Sequence, residues 1–301
     1  MHISRFIFWT LTISLLAPAI SMADAPAPVP VPAGGPDRSG GDHPPTALYA
    51  FEGNGGLATD VALNGTTGTF ELSGIPADGI VDRAYFITST WDSAGAPEHS
   101  IELTFAGTAY GTIEVTSFDA SPEELVELAG YAVDVTTDVA GNGSYGFDFI
   151  TNQGGTGTFG SLLVVVYQAP SAPARAIVVN YGAESLKEDS STSLLSGANP
   201  GEAVLHIFTE ADNVGFSDGE ESIAFNGSVI LGGLGADIFN ENQGEWASYF
   251  ELPVMALAGE NTVTLTTGED FLGWHFAALV TPLTTTPAEQ TSWGGLKSKF
   301  R

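Results

Sequence analysis

Between Glu210 and Glu221 the chain reads Glu-Ala-Asp-Asn-Val-Gly-Phe-Ser-Asp-Gly-Glu-Glu, gathering carboxylates among small, turn-forming residues. Calcium takes about six to eight oxygens, usually several carboxylates together with backbone carbonyls on a tight turn. A shorter acidic segment, Asp92 to Glu98, repeats two of the acids: at a shift of about 120 residues Asp92 aligns with Asp212 and Glu98 with Asp218. Asp92, Glu98, Glu210, Asp212, Asp218 and Glu220 therefore form a candidate calcium set, and calcium is the one cofactor expected. The spacing is not that of an EF-hand, so the reading rests on composition. Its competitor is a solvated acidic loop.

The same loop holds Gly215-Phe-Ser217-Asp-Gly219, a G-x-S-x-G pattern, with Asp270 and His275 following in the order of an α/β-hydrolase triad. That motif needs a strand entering the turn and a helix leaving it. Here the chain leaves through Ser222 to Leu231, which reads as a hairpin about Asn226-Gly227, so a hydrolase ranks third among the functions considered. There is no H-E-x-x-H, no cysteine and no Gly-rich phosphate loop opening a helix. Trp91, Trp246 and Trp274 supply rings for stacking on sugars if exposed, which makes a carbohydrate-binding module the alternative function. The competing place for each ring is a β-sandwich core.

Charge narrows the partners. The chain carries 8 Lys and Arg against 36 Asp and Glu, a net charge of −28. From Asp24 to Leu296 the basic residues are Arg38, Arg83, Arg175 and Lys187, so that stretch has net charge 4 − 36 = −32. Nucleic acid and anionic lipid would be repelled. The last positions differ: Trp293, Leu296 and Phe300 are interleaved with Lys297, Lys299 and Arg301, a short cationic and apolar signature read as a sorting or attachment signal. Such a tail also has the chemistry to dock on an acidic neighbour, making self-association possible alongside cell-surface or matrix partners.

Around these residues, His2 and Arg5, the apolar run Phe6 to Leu16 and Ser21-Met-Ala23 read as a secretory signal peptide over 1–23. The mature chain is expected to be extracellular or at the cell surface, with no transmembrane segment. Residues 24–45 form a Pro-rich spacer, and 284–301 a linker and basic tail. Between them, short β-branched and aromatic runs separated by Gly, Asn and Asp predict an all-β chain. Ser121-Pro-Glu-Glu-Leu-Val-Glu-Leu-Ala-Gly130 has the capping residues of one or two helical turns. Asn64-Gly65, Asn142-Gly143 and Asn226-Gly227 each predict a hairpin turn, and each also matches the Asn-x-Ser/Thr glycosylation acceptor. The halves align at shifts of 120 and 118: Phe105 on Phe225, Gly107 on Gly227, Tyr131 on Tyr249, Ala140-Gly141 on Ala258-Gly259. The expectation is two tandem antiparallel β-sandwiches, jelly-roll or Ig-like, over 46–170 and 174–283, related by internal duplication and joined by Ala169 to Pro173.

Val81-Asp-Arg-Ala-Tyr85, Tyr131-Ala-Val-Asp-Val-Thr136 before a Gly-Asn-Gly turn, and Leu163-Val-Val-Val-Tyr167 with Arg175-Ala-Ile-Val resemble a prokaryotic domain family of unknown function found on secreted and cell-surface proteins. The resemblance covers most of 75–283 and implies a surface β-protein; none of its motifs assigns an activity. Together these readings point to a secreted or cell-surface structural or adhesive protein without catalysis, supported by calcium.

Overall fold

Leu162-Leu-Val-Val-Val166 and Phe276-Ala-Ala-Leu-Val280 show no apolar-polar alternation, and burial explains it: each strand has both faces covered. A computed structural model describes residues 43–63, 65–93, 99–121, 126–152, 157–210, 221–239, 247–268 and 271–283. The strands of the first half are β1 (Thr46–Leu63), β2 (Thr67–Leu72), β3 (Ile80–Ser93), β4 (Ser100–Phe105), β5 (Thr108–Glu114), β6 (Ser117–Ser121), β7 (Val126–Asp134), β8 (Gly143–Thr151) and β9 (Gly160–Gln168). Those of the second are β10 (Ala174–Leu186), β11 (Ser190–Ala198), β12 (Gly201–Glu210), β13 (Ser222–Phe225), β14 (Ser228–Gly232), β15 (Ala247–Ala256), β16 (Gly259–Thr266) and β17 (Leu272–Pro282). The chain is all-β, and its ladders are antiparallel.

A nine-stranded sheet runs β15-β12-β17-β10-β1-β9-β3-β7-β6, and two four-stranded sheets run β2-β8-β4-β5 and β11-β16-β13-β14. β1 belongs to both halves of the large sheet: Thr46 to Asn54 pair with β10, and Gly55 to Leu63 with β9. Phe86, Phe70, Phe147 and Leu163 share a core between the β9 side and the β2 sheet. Trp274, Leu205, Ile223 and Leu265 share the corresponding core of the second half. A third cluster joins the two sides of the large sheet, with Tyr85, Ile87 and Val164 meeting Ile177, Phe208 and Phe276. Along β9, Leu162, Val164 and Val166 enter this central cluster while Leu163 and Val165 enter the first core. β17 divides the same way, Phe276, Ala278 and Val280 against Ala277 and Leu279.

The strand order is that of a jelly roll twice over. In the first half β1-β9-β3-β7 face β2-β8-β4-β5; in the second β10-β17-β12-β15 face β11-β16-β13-β14. The pairs aligned by sequence sit at corresponding places, Tyr131 on β7 and Tyr249 on β15, Phe105 ending β4 and Phe225 ending β13. The turns that follow share positive φ at both residues, 50° and 84° at Ala106-Gly107, 50° and 76° at Asn226-Gly227.

β1 changes partners at Asn54-Gly55. A Cβ on Gly55 would lie 2.1 Å from the Tyr167 carbonyl oxygen, so only glycine lets the strands approach here, while one on Gly56 would meet the Tyr167 side chain, 2.4 Å from its hydroxyl. Ala169 N donates to Asn54 O at 2.9 Å and Gly55 N to Pro173 O at 3.2 Å, tying this corner to the connection between the halves.

Two local expectations are corrected. Val126 to Gly130, expected to be helical, is strand: β7 pairs with β3, and the adjacent Leu128 and Ala129 are buried in different clusters. Burial on both faces outweighs the capping signals; residues 122–125 lie outside the described residues. Asn226-Gly227 does close a two-residue hairpin. Asn142-Gly143 does not, because β7 and β8 belong to different sheets. Instead Asn142 clamps Ile75, whose N–H donates to Asn142 Oδ1 at 2.9 Å while Asn142 Nδ2 donates to Ile75 O at 2.7 Å. Gly65 likewise leads from β1 into a different sheet, and Asn64 lies outside the described residues.

Candidate functional site

The structure brings few of the sequence candidates together. Of the calcium set, Glu98, Asp212, Asp218 and Glu220 lie outside the described residues, as do Ser217 and Asp270. Asp92 stands on β3 directly opposite Glu127 of β7, and Glu127 pairs with His99 at 2.8 Å. Glu210, expected on an acidic loop, ends β12 and is sealed between the halves. Ser89 Oγ donates to its Oε2 at 2.5 Å, and His275 Nε2 stands 3.7 Å from the same oxygen. Burial pushes the Glu210 carboxyl up to about 8 and the His275 imidazole down to about 4. Among the described residues no group of three or more His, Asp or Glu side chains is placed to hold a metal ion.

Ser89, Glu210 and His275 come from β3, β12 and β17, strands that lie apart in sequence but meet at the centre. The carboxyl stands between the hydroxyl and the imidazole, whereas a triad needs the imidazole between nucleophile and acid. All three side chains are buried, so this is an internal polar contact joining the halves. Sequence spacing gave no signal for it, since the partners are more than 60 residues apart.

The aromatic candidates are corrected in the same way. Trp274 is 0% exposed in the second core, its indole N–H donating to Phe276 O at 3.1 Å. Trp91 is 8% exposed and packs edge-on against Phe159 and Phe271. Neither ring offers an open face to a sugar. Trp246 lies outside the described residues, as do Trp293, Leu296, Lys297, Lys299, Phe300 and Arg301.

The solvent-facing site that does emerge is a cleft of about 1060 Å³ at the edge of the second jelly roll. Among the described residues, β14 is the outermost strand of its four-stranded sheet and β15 of the large sheet. One wall is the β13–β14 hairpin with Phe225, Ser228 and Ile230; the other is Pro253, Met255 and Leu257 at the end of β15. Met255 is 65% exposed and Leu257 56%. Glu202 and Arg175 are its charged lining residues, Glu202 across from Met255 and Arg175 across from Pro282. Its volume is at the top of the range for small-molecule pockets, with room for an extended segment. An uncharged edge strand carrying Val229, Ile230 and Leu231 is also a template for added backbone pairing. The only sequence sign was that apolar run on a strand of five residues.

The first jelly roll closes the corresponding gap with its own residues. After β7, Thr136–Asp138 forms a single 3₁₀ turn flanked by buried Val135 and Val139. Thr108 Oγ1 of β5 donates to Asp138 Oδ1 at 2.7 Å, and the Tyr110 hydroxyl donates to Asp138 Oδ2. These two hydrogen bonds hold the Asp138 carboxyl below its usual range. By the 120 and 118 shifts, Thr108, Tyr110, Val135 and Val139 correspond to Ser228, Ile230, Pro253 and Leu257, all lining the cleft. Ala256 stands where the bridging Asp138 would be.

Fold and site define a class: an acidic all-β protein of two jelly rolls sharing one strand, with an apolar cleft at one edge. The chain belongs to the family described as protein of unknown function DUF3344, which matches residues 39–281. No curated protein matches the chain. Among solved structures it is similar to a conserved protein of unknown function from Pseudomonas aeruginosa, with 12% identity, coverage of 80% of this chain and 95% of that one, and a TM-score of 0.32. It is also similar to a β-porphyranase of glycoside hydrolase family 86 from Bacteroides plebeius, with 14% identity, coverage of 74% and 36%, and a TM-score of 0.25. The major capsid protein P2 of bacteriophage PM2 shows 10% identity, coverage of 79% and 99%, and a TM-score of 0.25. The chain spans about a third of the length of the glycoside hydrolases it matches.

Proposed function

We propose that this chain is a secreted or cell-surface structural or adhesive protein that acts by gripping an apolar, extended segment of a surface partner and not by catalysis. The observation that carries the reading is the contrast between its two kinds of site. Glu210 and His275, whose ionisation burial shifts strongly, are sealed between the halves, whereas the cleft at the edge of the second jelly roll is open to solvent, apolar and bounded by two sheet edges. Extended peptides add to such edges through backbone hydrogen bonds, with pockets taking alternate side chains. The acidic surface keeps the protein hydrated and dispersed outside that patch.

The test is retention of the full chain on the envelope of the producing cell. Ile230→Glu with Met255→Glu places two charges on exposed cleft positions, so the thermal midpoint should hold while the protein shifts from envelope to medium. Equal retention of variant and wild type would remove the cleft as the recognition surface.

A further inference from the structure

We infer that the cleft of the second jelly roll is the docking site of the chain's own segment Trp293–Arg301. This rests on the reading of the cleft as a site for an extended apolar segment, and it names that segment. Three observations converge on it. First, the equivalent gap in the first jelly roll is filled from within, by Asp138 bridging to Thr108 and Tyr110 and by Val135 and Val139 in the core. The second has Ala256 at the place of the bridging acid and leaves Ile230, Met255 and Leu257 facing solvent.

Second, the described chain reaches this place. Pro282 lines the cleft and pairs with Arg175 at its border. Residues 284–292 then separate Leu283 from Trp293, and a stretch of that length spans at most roughly 35 Å when extended. A segment tethered so close has an effective local concentration in about the millimolar range, which favours it over a second copy in dilute solution.

Third, the chemistry matches. Leu296, Ser298 and Phe300 alternate with Lys297, Lys299 and Arg301, the period-two pattern of a strand with one apolar and one cationic face. Laid along the edge, Leu296 and Phe300 meet Ile230, Met255 and Leu257, and the cations meet Glu202 and a body of net charge −32 from Asp24 to Leu296. Arg175 stands at the Pro282 end, so the cationic face belongs toward Glu202. The tail thus serves as resident occupant of the cleft, and a surface partner must displace it.

The chain contains no cysteine, so an introduced pair is unambiguous. In the full chain, Met255→Cys with Phe300→Cys should oxidise to an intramolecular disulfide roughly tenfold faster, or more, than Ile150→Cys with Phe300→Cys. Ile150 is an exposed position on β8 of the first jelly roll. Non-reducing peptide mapping and native mass spectrometry read the result. Equal rates for the two pairs would overturn the docking. Covalent dimers whose yield rises with concentration would overturn it in favour of a second copy's segment. The retention assay separates the two ideas: a specific cross-link with unchanged retention of Ile230→Glu/Met255→Glu upholds the tail and sinks the surface-partner reading. Lost retention without a cross-link does the reverse.

Discussion

Glu210 shows how strongly position overrides composition. In the sequence it begins an acidic loop; in the fold it has given up solvent for a hydroxyl donor and an imidazole neighbour. Its carboxyl is pushed up to about 8, so the folded state holds a proton that the unfolded chain releases near its usual value. The Glu210 contribution to stability is therefore fully present below about pH 4.5 and lost as pH rises through about 8. Glu210→Gln keeps an acceptor for Ser89 and removes that titration. The thermal midpoint of Glu210→Gln minus wild type should grow steadily from pH 5 to pH 8; a constant difference would mean that Glu210 is ionised in the fold. His275 acts oppositely, since its depressed value makes stability fall as pH drops from about 6.5 towards about 4, but it titrates in both proteins. Trp274→Ala should lower stability by about 3–5 kcal/mol, as for other large-to-small core changes. A variant of near wild-type stability would be incompatible with the buried indole.

At the scale of elements, the most consequential is the 18-residue strand β1, whose change of partner depends on the backbone approach at Gly55. Gly55→Ala forces a methyl group onto the Tyr167 carbonyl and should cost about 1–3 kcal/mol in urea unfolding, as for other overpacked sites. A neutral result would mean the strands separate here without loss. Asn142 is the second element-scale device, since its amide supplies both hydrogen bonds to Ile75. Asn142→Ala leaves that N–H and carbonyl unpaired and should cost about 1–3 kcal/mol, measurable in the same way. Much of this was legible locally. Val81 to Thr88, Ser161 to Tyr167 and Val204 to Thr209 lie within β3, β9 and β12 as their β-branched and aromatic content predicts. Asn226-Gly227 forms its turn because the φ angles it supplies are set within two residues. Val126 to Gly130 was misread because its helix-capping residues are local signals, while what decides it is pairing with β3.

The whole molecule behaves as more than two beads on a linker. Thr46 to Asn54 complete the sheet of the second jelly roll although the rest of β1 belongs to the first, and Tyr85, Val164, Ile177 and Phe276 share one buried cluster. Separating the halves at Ala169 to Pro173 would strip β10 of a neighbour and open that cluster to water. Calorimetry of the full chain should show one transition with matching calorimetric and van't Hoff enthalpies. Residues 174–283 alone should fail to give a cooperative transition, and independent melting of that fragment at the full-chain temperature would disprove the shared core.

What the sequence by itself determined is what neighbours along the chain decide: the identity of most strands, the all-β class, the acidic charge and the Asn226-Gly227 turn. The residues it aligned at shifts of 118 and 120, Tyr131 with Tyr249 and Phe105 with Phe225, lie on strands at corresponding places in the two sheet orders. Only the tertiary structure decided which strands are buried on both faces, how β1 divides its pairing, why Glu210 meets Ser89 and His275, and that Met255 and Ile230 flank an open cleft. Those outcomes depend on contacts between segments far apart in the chain. No local pattern records them, because an apolar residue on a strand looks the same whether its neighbour is a core or water.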